Sequence, residues 1–552
     1  MSSAGVRVFG DTGLLAEVPE SISPAEALRV VISLRERLSS SQPAGVVDLV
    51  PAARTVLVRF APREVATSVV RAWIEKSLAD ALAVTDVPAR AAVDGNTDVE
   101  IGIRYDGPDL DKTAAFLGIH SADLVSAHLA ATWTVAFTGF APGFGYLVSE
   151  DWPFDVPRLA SPRTRVPAGS VGLAGSFSGA YPRSTPGGWR LIGTTSAPLF
   201  DPDAASPALL RPGMRVRFRE VADLPASGPS LERGSSVRPL RINAQHSHES
   251  AAHGGGGVEA DAGSGPVLRV EAPGLLATVQ DAGRPGHGSL GVSVSGALDR
   301  AALRTANRLV GNPEGAAGLE ITAGGFEATA LADVWIAVAG AWGELTIDGR
   351  GIDHGAAQLW RRGERLRMGW FTAGVRAYLA VRGGIEARRV LGSAATDTLA
   401  GLGPEPLRAD AVLSGGALAV DEIPASDLAP WSPPPADLVV RLVPGPREDA
   451  FTPASGTALF EATWTVGAAA DRVGMRLEGP RLDRTDAGEL PSEGMVPGAI
   501  QVPPSGSPTI LLADGPVTGG YPVIATVLDA DLDLLAQAGP GATIRFIHAT
   551  QH

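Results

Sequence analysis

Over the first eighty residues the hydrophobic positions switch repeatedly between two periods. Apolar residues alternate over 6–9 and 14–18, recur on one helical face over 24–38 (Leu28, Val31, Leu34), alternate again over 46–50 and 55–60, and return to helical spacing over 63–82. Strands interleaved with helices in this order predict a small open-faced α/β sandwich. From residue 100 the texture changes to short strands between Gly and Pro turns, with two brief helical stretches near Asp111 and Ala122. Residues 224–265 are rich in Ser, Gly and His, have no sustained apolar period and read as a linker. Beyond them the pattern is strand-like throughout, with one clear helix over 299–310, and a Pro-rich break over 424–435 divides two lobes.

The chain also echoes itself. Pro212-Gly213-Met214-Arg215-Val216-Arg217-Phe218 returns as Pro540-Gly541-Ala542-Thr543-Ile544-Arg545-Phe546, Val166-Pro167 as Val496-Pro497, and Tyr181-Pro182 as Tyr521-Pro522. The shared order predicts a duplicated unit, each copy a closed or nearly closed barrel.

Composition narrows the function. At 552 residues several domains are expected, and 67 Gly with 44 Pro favour short strands over long helices. A net charge of −14 argues against a hold on nucleic acid backbones. No run of about 20 apolar residues is present to cross a membrane, and residues 1–19 lack the pattern of a signal peptide, so a cytoplasmic protein is expected. The absence of Cys removes thiolate nucleophiles and Cys-ligated zinc. Only Lys76 and Lys112 are lysines, and neither follows a phosphate-binding glycine loop or sits in a hairpin fit to carry biotin. His246, His248 and His253 fall in the linker with no carboxylate in register, so no metal is expected.

Candidate chemistry gathers in a few segments. Phe137 to Leu147, FTGFAPGFGYL, alternates Gly with aromatics; Gly139, Phe140 and Gly143 either let a ligand approach the backbone or form a turn packed by rings. Arg163, with Gly169 and Ser170 after it, offers a guanidinium and small residues suited to an oxyanion or carboxylate. Gln280, Asp281 and Arg284 share a Gly-rich turn, where a carboxylate and guanidinium can reach one small ligand or the Asp can cap the turn. Gln501 and Asp514 belong to adjacent strands; Asp514, before Gly515, is placed as an open base or ligand, or as a turn former, with Tyr521 downstream. Asp471 and Arg472 are each half of an ion pair with partners anywhere, and His128 ends a helical stretch.

The segments FTGFAPGFGYL, PRTRVPAGSVGLAG and YPRSTPGGWRLIG together resemble the B-type subunit of 5-oxoprolinase, the KipI or allophanate hydrolase subunit 1 family. TVQDAGRPGHGSLGVSVSGALD, ANRLVGNPEGAAGLE, YLAVRGGI, ADRVGMRLEGP and GAIQVPPSGSPTILLADGPVTGGYP resemble the C-type subunit, the KipA or allophanate hydrolase subunit 2 family. The resemblance implies a mainly β (α+β) chain: a ferredoxin-like α/β sandwich over 1–85, a cyclophilin-like β-barrel domain over 86–223, a disordered linker over 224–265, and cyclophilin-like lobes over 266–423 and 436–552. It implies a component of an ATP-dependent amidohydrolase that opens 5-oxoproline to glutamate with a separate A-type 5-oxoprolinase subunit of the LamB/YcsF family, ATP being used through the complex.

The alternatives it leaves are a carboxyltransferase component of a biotin-dependent urea or amide carboxylase, with biotin on another chain, and a KipI/KipA-like regulatory binding module. Homo-oligomerisation stays open. Lactam opening needs a proton handled on nitrogen and donors for an oxyanion. On the family's motifs, Asp514, Gln501, Asp281, Arg284 and His128 carry the expected catalytic roles. Gln280, Arg163, Gly169, Ser170, Gly139, Phe140, Gly143, Asp471, Arg472 and Tyr521 carry the expected substrate-binding ones. Phe177, Thr194, Ala394, Gly403-Pro404-Glu405-Pro406 and Val517 replace more polar family residues, which points to a divergent substrate.

Overall fold

The computed structural model describes residues 5–83, 98–224, 265–424, 435, 437–485 and 490–549. The linker over 225–264, with its three histidines, and the break over 425–434 lie outside them. The described chain is mostly strand, in one small sandwich and three larger sheets.

The sandwich follows its periodicity closely. Strands Gly5–Val8, Gly13–Glu17, Thr55–Phe60 and Val46–Pro51 form an antiparallel sheet in that spatial order, with helices Pro24–Ser40 and Thr67–Ala83 beside it. This is the strand order of a ferredoxin-like fold whose last strand has moved to the front of the chain. The second helix starts at Thr67 rather than 63. Val56, Val58 and Phe60 face the helices, while Leu57, with Phe9, Leu15 and Val50, packs against Met495, Val496 and Val523 of the last barrel. Both faces of the sheet are therefore covered, which is why Gly13–Glu17 is buried at every position.

The echoed segments are the closing strands of two like-built barrels. Arg215–Glu220 lies parallel to Asp98–Ile103 and antiparallel to Trp133–Thr138; Thr543–His548 lies parallel to Asp437–Pro444 and antiparallel to Thr463–Val466. In each, a helix runs into a strand carrying a fully buried Trp, whose indole N–H donates to a carbonyl five residues back: Trp133 to His128 at 3.2 Å, Trp464 to Leu459 at 3.0 Å. His128 and Leu459 are thus equivalent positions. The C-terminal barrel is closed, and the bridge Arg104–Thr194 joins the two edges of the first.

Two details differ from expectation. The helix Pro453–Glu461, without a strong apolar stripe, was not legible in the sequence, although it is the counterpart of Ser121–Ala130. The Tyr-Pro echo is also out of step: Tyr181 precedes its short strand Thr185–Gly187, whereas Tyr521 follows Thr518–Gly519 and so corresponds to Trp189.

Between the barrels, Pro266–Gly415 builds a ten-stranded sheet around the long pair Val334–Ile347 and Arg365–Val381, with helix Arg300–Leu309 packed on it through Leu303 and Ala306.

Candidate active site at the junction of the two halves

The two halves meet where the glycine-rich segments lie. Phe140 has φ 65°, and its N–H donates to Thr518 Oγ1 at 3.0 Å. A Cβ on Gly139 would sit 2.1 Å from that same oxygen, so only glycine permits the approach. The Gly143 N–H donates to Leu290 O at 2.9 Å, and Thr138 donates to Ser289 O. From the sandwich, Asp48 Oδ2 accepts the Gly288 N–H at 2.9 Å. The FTGFAPGFG segment is accordingly a docking wedge between parts of one chain. Its aromatics stack among themselves, Phe140 and Phe144 edge-on to Tyr181.

Behind this junction lies a buried ionic network. Arg472 Nε and Nη2 donate to Asp514 at 2.9 and 3.0 Å, Nη1 to Glu320 at 2.6 Å and Nη2 to Gly296 O at 2.6 Å. Asp514 also accepts Ser295 Oγ at 2.6 Å, and the Thr398 N–H and hydroxyl at 2.8 Å each. Burial raises the Asp514 carboxyl, but Arg472, Ser295 and Thr398 outweigh it and hold it below the usual range. Neighbouring Asp397, bonded to Ser293 at 2.6 Å, is pushed up to about 6 by burial and by the Asp514 charge. Asp514 is thus a fully buried, charged anchor, which corrects the expectation of an open base.

Ser295 links this network to a cavity. Its φ of 54° is a left-handed conformation unusual for serine, held by its N–H to Ala513 O at 3.1 Å and by the hydroxyl bond to Asp514. It lines a cavity of about 80 Å³ with Asp11, Thr12 and Arg59 from the sandwich and with Pro497, Ala513 and Thr526 from the C-terminal barrel. A smaller neighbour of about 20 Å³ shares Arg59 and adds Ser293 and Val517.

The other candidates are placed as follows. Asp281 caps its own turn, accepting Gly283 N–H at 2.8 Å, Ser393 Oγ at 2.6 Å and Ala394 N–H at 2.7 Å. Arg284 is buried, donates to the carbonyls of Ala395 and Val390, and has its pKa lowered by burial. Gln280 is buried, donating to Thr278 and Thr396 O, with its own Oε1 unpaired. Gln501 Nε2 lies 3.2 Å from Met495 Sδ, Tyr521 is exposed, and Asp471 caps a turn through Val473 and Gly474.

His128 and the Arg163 group lie apart, in the first barrel. His128 is fully buried among Trp133, Trp152 and Phe218, with Tyr105 OH at 2.7 Å and Ser178 Oγ at 2.9 Å, and burial lowers its pKa to about 3. Such a group is neutral and fully partnered within its own barrel. Arg163 pairs with Asp109 at 2.7 Å, Gly169 N–H donates to Tyr181 O, and Ser170 is buried in a strand. Among the described residues no cluster of three His, Cys, Asp or Glu forms a metal cage, and no helix is long and apolar enough to cross a membrane.

Against known proteins, residues 4–210 match the carboxyltransferase domain, subdomain C and D, and residues 290–548 match the carboxyltransferase domain, subdomain A and B. Over 291 residues the chain is 37% identical to the C-type subunit of 5-oxoprolinase from Escherichia coli (strain K12), covering 51% of this chain and 92% of that protein. The chain belongs to the carboxyltransferase-domain family of the B- and C-type 5-oxoprolinase subunits. Over 226 other residues it is 37% identical to the B-type subunit of 5-oxoprolinase from Escherichia coli O157:H7, covering 40% of this chain and 96% of that protein. The crystal structure of TTHA0988 superposes with a TM-score of 0.79 at 38% identity, covering 97% of this chain and all of that one. This family member therefore holds a B-like and a C-like half in one chain, and the junction above is the meeting of the two.

Sequence reasoning missed Arg59, Ser295, Glu320 and Thr518. Arg59 had a visible signal, an arginine inside the alternating strand TVLVRF, on the face that Leu57 buries. Ser295 and Thr518 had none, since their partners are remote in sequence.

Proposed function

We propose that the chain is the fused B and C component of an ATP-dependent 5-oxoprolinase-like amidohydrolase, opening the lactam of 5-oxoproline to glutamate with a separate A-type subunit. The observation that carries this is that each half aligns with nearly the full length of one 5-oxoprolinase subunit, while the fold presses the two halves around a shared cavity. Breaking a lactam C–N bond needs donors for the carbonyl oxygen as it gains charge and a group to pass a proton to nitrogen. Arg59 and the Ser295 wall supply polar groups at the cavity, and of its two carboxylates Asp529 is paired with Arg300 while Asp11 has its pKa raised by burial.

The cavity is far below the roughly 300–1,000 Å³ of pockets that enclose drug-sized ligands, so it suits a small acid and not a nucleotide. Val517 in the smaller cavity, where the family carries a polar residue, fits a substrate that differs from the parent lactam at that side. The test is 5-oxoproline-dependent ATP hydrolysis by the purified chain mixed with its cognate A-type partner. Turnover is expected only with both proteins present; its absence, alongside an active control set, refutes the reading.

A further inference from the structure

Two residues lining the larger junction cavity each carry a buried polar atom that nothing in the described chain satisfies. The atoms are Arg59 Nε and Thr526 Oγ1, approaching from the sandwich and from the C-terminal barrel. No hydrogen bond or ion pair joins the Arg59 guanidinium to any described residue. The charged groups around it are committed elsewhere. Asp48, opposite Arg59 in the strand ladder, accepts the Leu49 and Gly288 amides at 3.0 and 2.9 Å. Asp529 accepts Arg300 Nη1 at 2.8 Å, and Arg300 Nε is bound to Asp533 at 2.9 Å. Asp11 accepts the Asp529 N–H at 3.1 and 3.3 Å and lines the cavity.

Arg59 is half-buried, its Nε is sealed from solvent without an acceptor, and burial lowers its pKa despite the neighbouring carboxylates. A leucine there would continue the apolar face of Leu57 and Leu15. The arrangement is complete only when something brings an anionic oxygen pair to Arg59 and an N–H to Asp11.

We infer that this cavity is a carboxylate subsite for a small amide-bearing acid, Arg59 taking the carboxylate with help from the Thr526 hydroxyl, and Asp11 accepting the amide N–H. Arg59 is then a specificity-determining residue contributed by the B-like half to a pocket walled mainly by the C-like half. The naming of the ligand rests on the proposed function; the subsite rests on the geometry. A planar guanidinium prefers a full, bidentate negative charge to a neutral carbonyl, so a lactam without a carboxylate is excluded by preference.

The test is calorimetric titration of the full chain with L-5-oxoproline, its decarboxylated analogue 2-pyrrolidinone, and bicarbonate, on wild type, Arg59→Gln, Arg59→Lys and Thr526→Val. Binding of 5-oxoproline is expected to weaken at least about tenfold in Arg59→Gln, less in Arg59→Lys and a few-fold in Thr526→Val. 2-Pyrrolidinone is expected to bind at least about tenfold more weakly than 5-oxoproline and to be indifferent to Arg59. Arg59-dependent binding of bicarbonate without 5-oxoproline keeps the subsite and reassigns its acid.

Because Arg59 makes no hydrogen bond to a described residue and its Nε is buried without an acceptor, Arg59→Gln should melt no lower than wild type without ligand; unfolding of this variant would make Arg59 structural and overturn the proposal. Undiminished 5-oxoproline binding in Arg59→Gln, or no binding of either acid to wild type, overturns it as well. Intact Arg59-dependent binding with no ATP hydrolysis beside the A-type partner would instead fail the proposed function alone.

Discussion

The two barrels share a frame and differ in what they bury. At one equivalent position the first holds His128 and the second Leu459, each beneath a tryptophan bonded to its carbonyl. His128 is a neutral polar group satisfied within its own barrel by Tyr105 and Ser178. The C-terminal barrel has apolar residues there and concentrates charge at its rim, where Arg472 ties Asp514 to Glu320 of the preceding sheet and to the Gly296 carbonyl in the loop before helix Arg300–Leu309. A neutral group bonded locally influences little beyond itself. A buried ion pair whose partners come from different sheets couples those sheets, because separating them strands a charge in a medium that solvates it poorly.

Arg472→Leu should break this contrast hardest. It leaves Asp514 buried without its cation and Glu320 with only the Arg376 cation, 3.8 Å away, and a loss of about 3–5 kcal/mol is expected in urea denaturation. A loss below about 1 kcal/mol would mean that the network does not couple the sheets. His128→Leu, which copies the second barrel into the first, unpairs two hydroxyls and should cost about 1–3 kcal/mol at neutral pH while leaving lactam-dependent turnover intact. A folded but inactive variant would restore a catalytic histidine.

The pH dependence sharpens the same point. With a folded pKa of about 3 against about 6.5 unfolded, His128 is neutral in the folded state while the unfolded chain gains a proton as pH falls. Wild type therefore loses about 1.4 kcal/mol through this group between pH 7.5 and 5.5, and the cost of His128→Leu should shrink by that amount. Asp397, whose carboxyl is raised to about 6, works in the opposite sense and is common to both proteins, so it cancels in the difference. Smallest is Asp471→Ala: Asp471 is adjacent to Arg472 yet exposed and capping only its own turn, and it should cost under about 1 kcal/mol in the same denaturation. An effect near that of Arg472→Leu would place the coupling in the local turn.

Which residues were legible follows from how far away their partners lie. The sandwich was readable because each strand and helix shows its period locally, and the duplicated barrel because its closing strand repeats a Pro-Gly turn and an alternation. Asp281 was readable as a turn cap, since Gly283 is two residues away. Arg472 gives no local sign of its role because its partners stand 42 and 152 residues off, and Asp514 reads as an open base because nothing in its own segment reveals that Ser295 and Thr398 cover it. The Gly139 to Gly143 segment carried the right signal, close backbone approach, with the wrong partner: the other half of the chain in place of a ligand.

The sequence by itself determined the β-rich class, the two-part family membership and the internal repeat, because these depend on periodicity and on short motifs that need no partner to be read. Only the tertiary structure decided which polar groups are satisfied and which are left over. Satisfaction is a property of pairs brought together by folding: the same chain carries Arg472, fully bonded, and Arg59, with no partner among the described residues in a cavity between two domains, and neither state is written in the residues beside them.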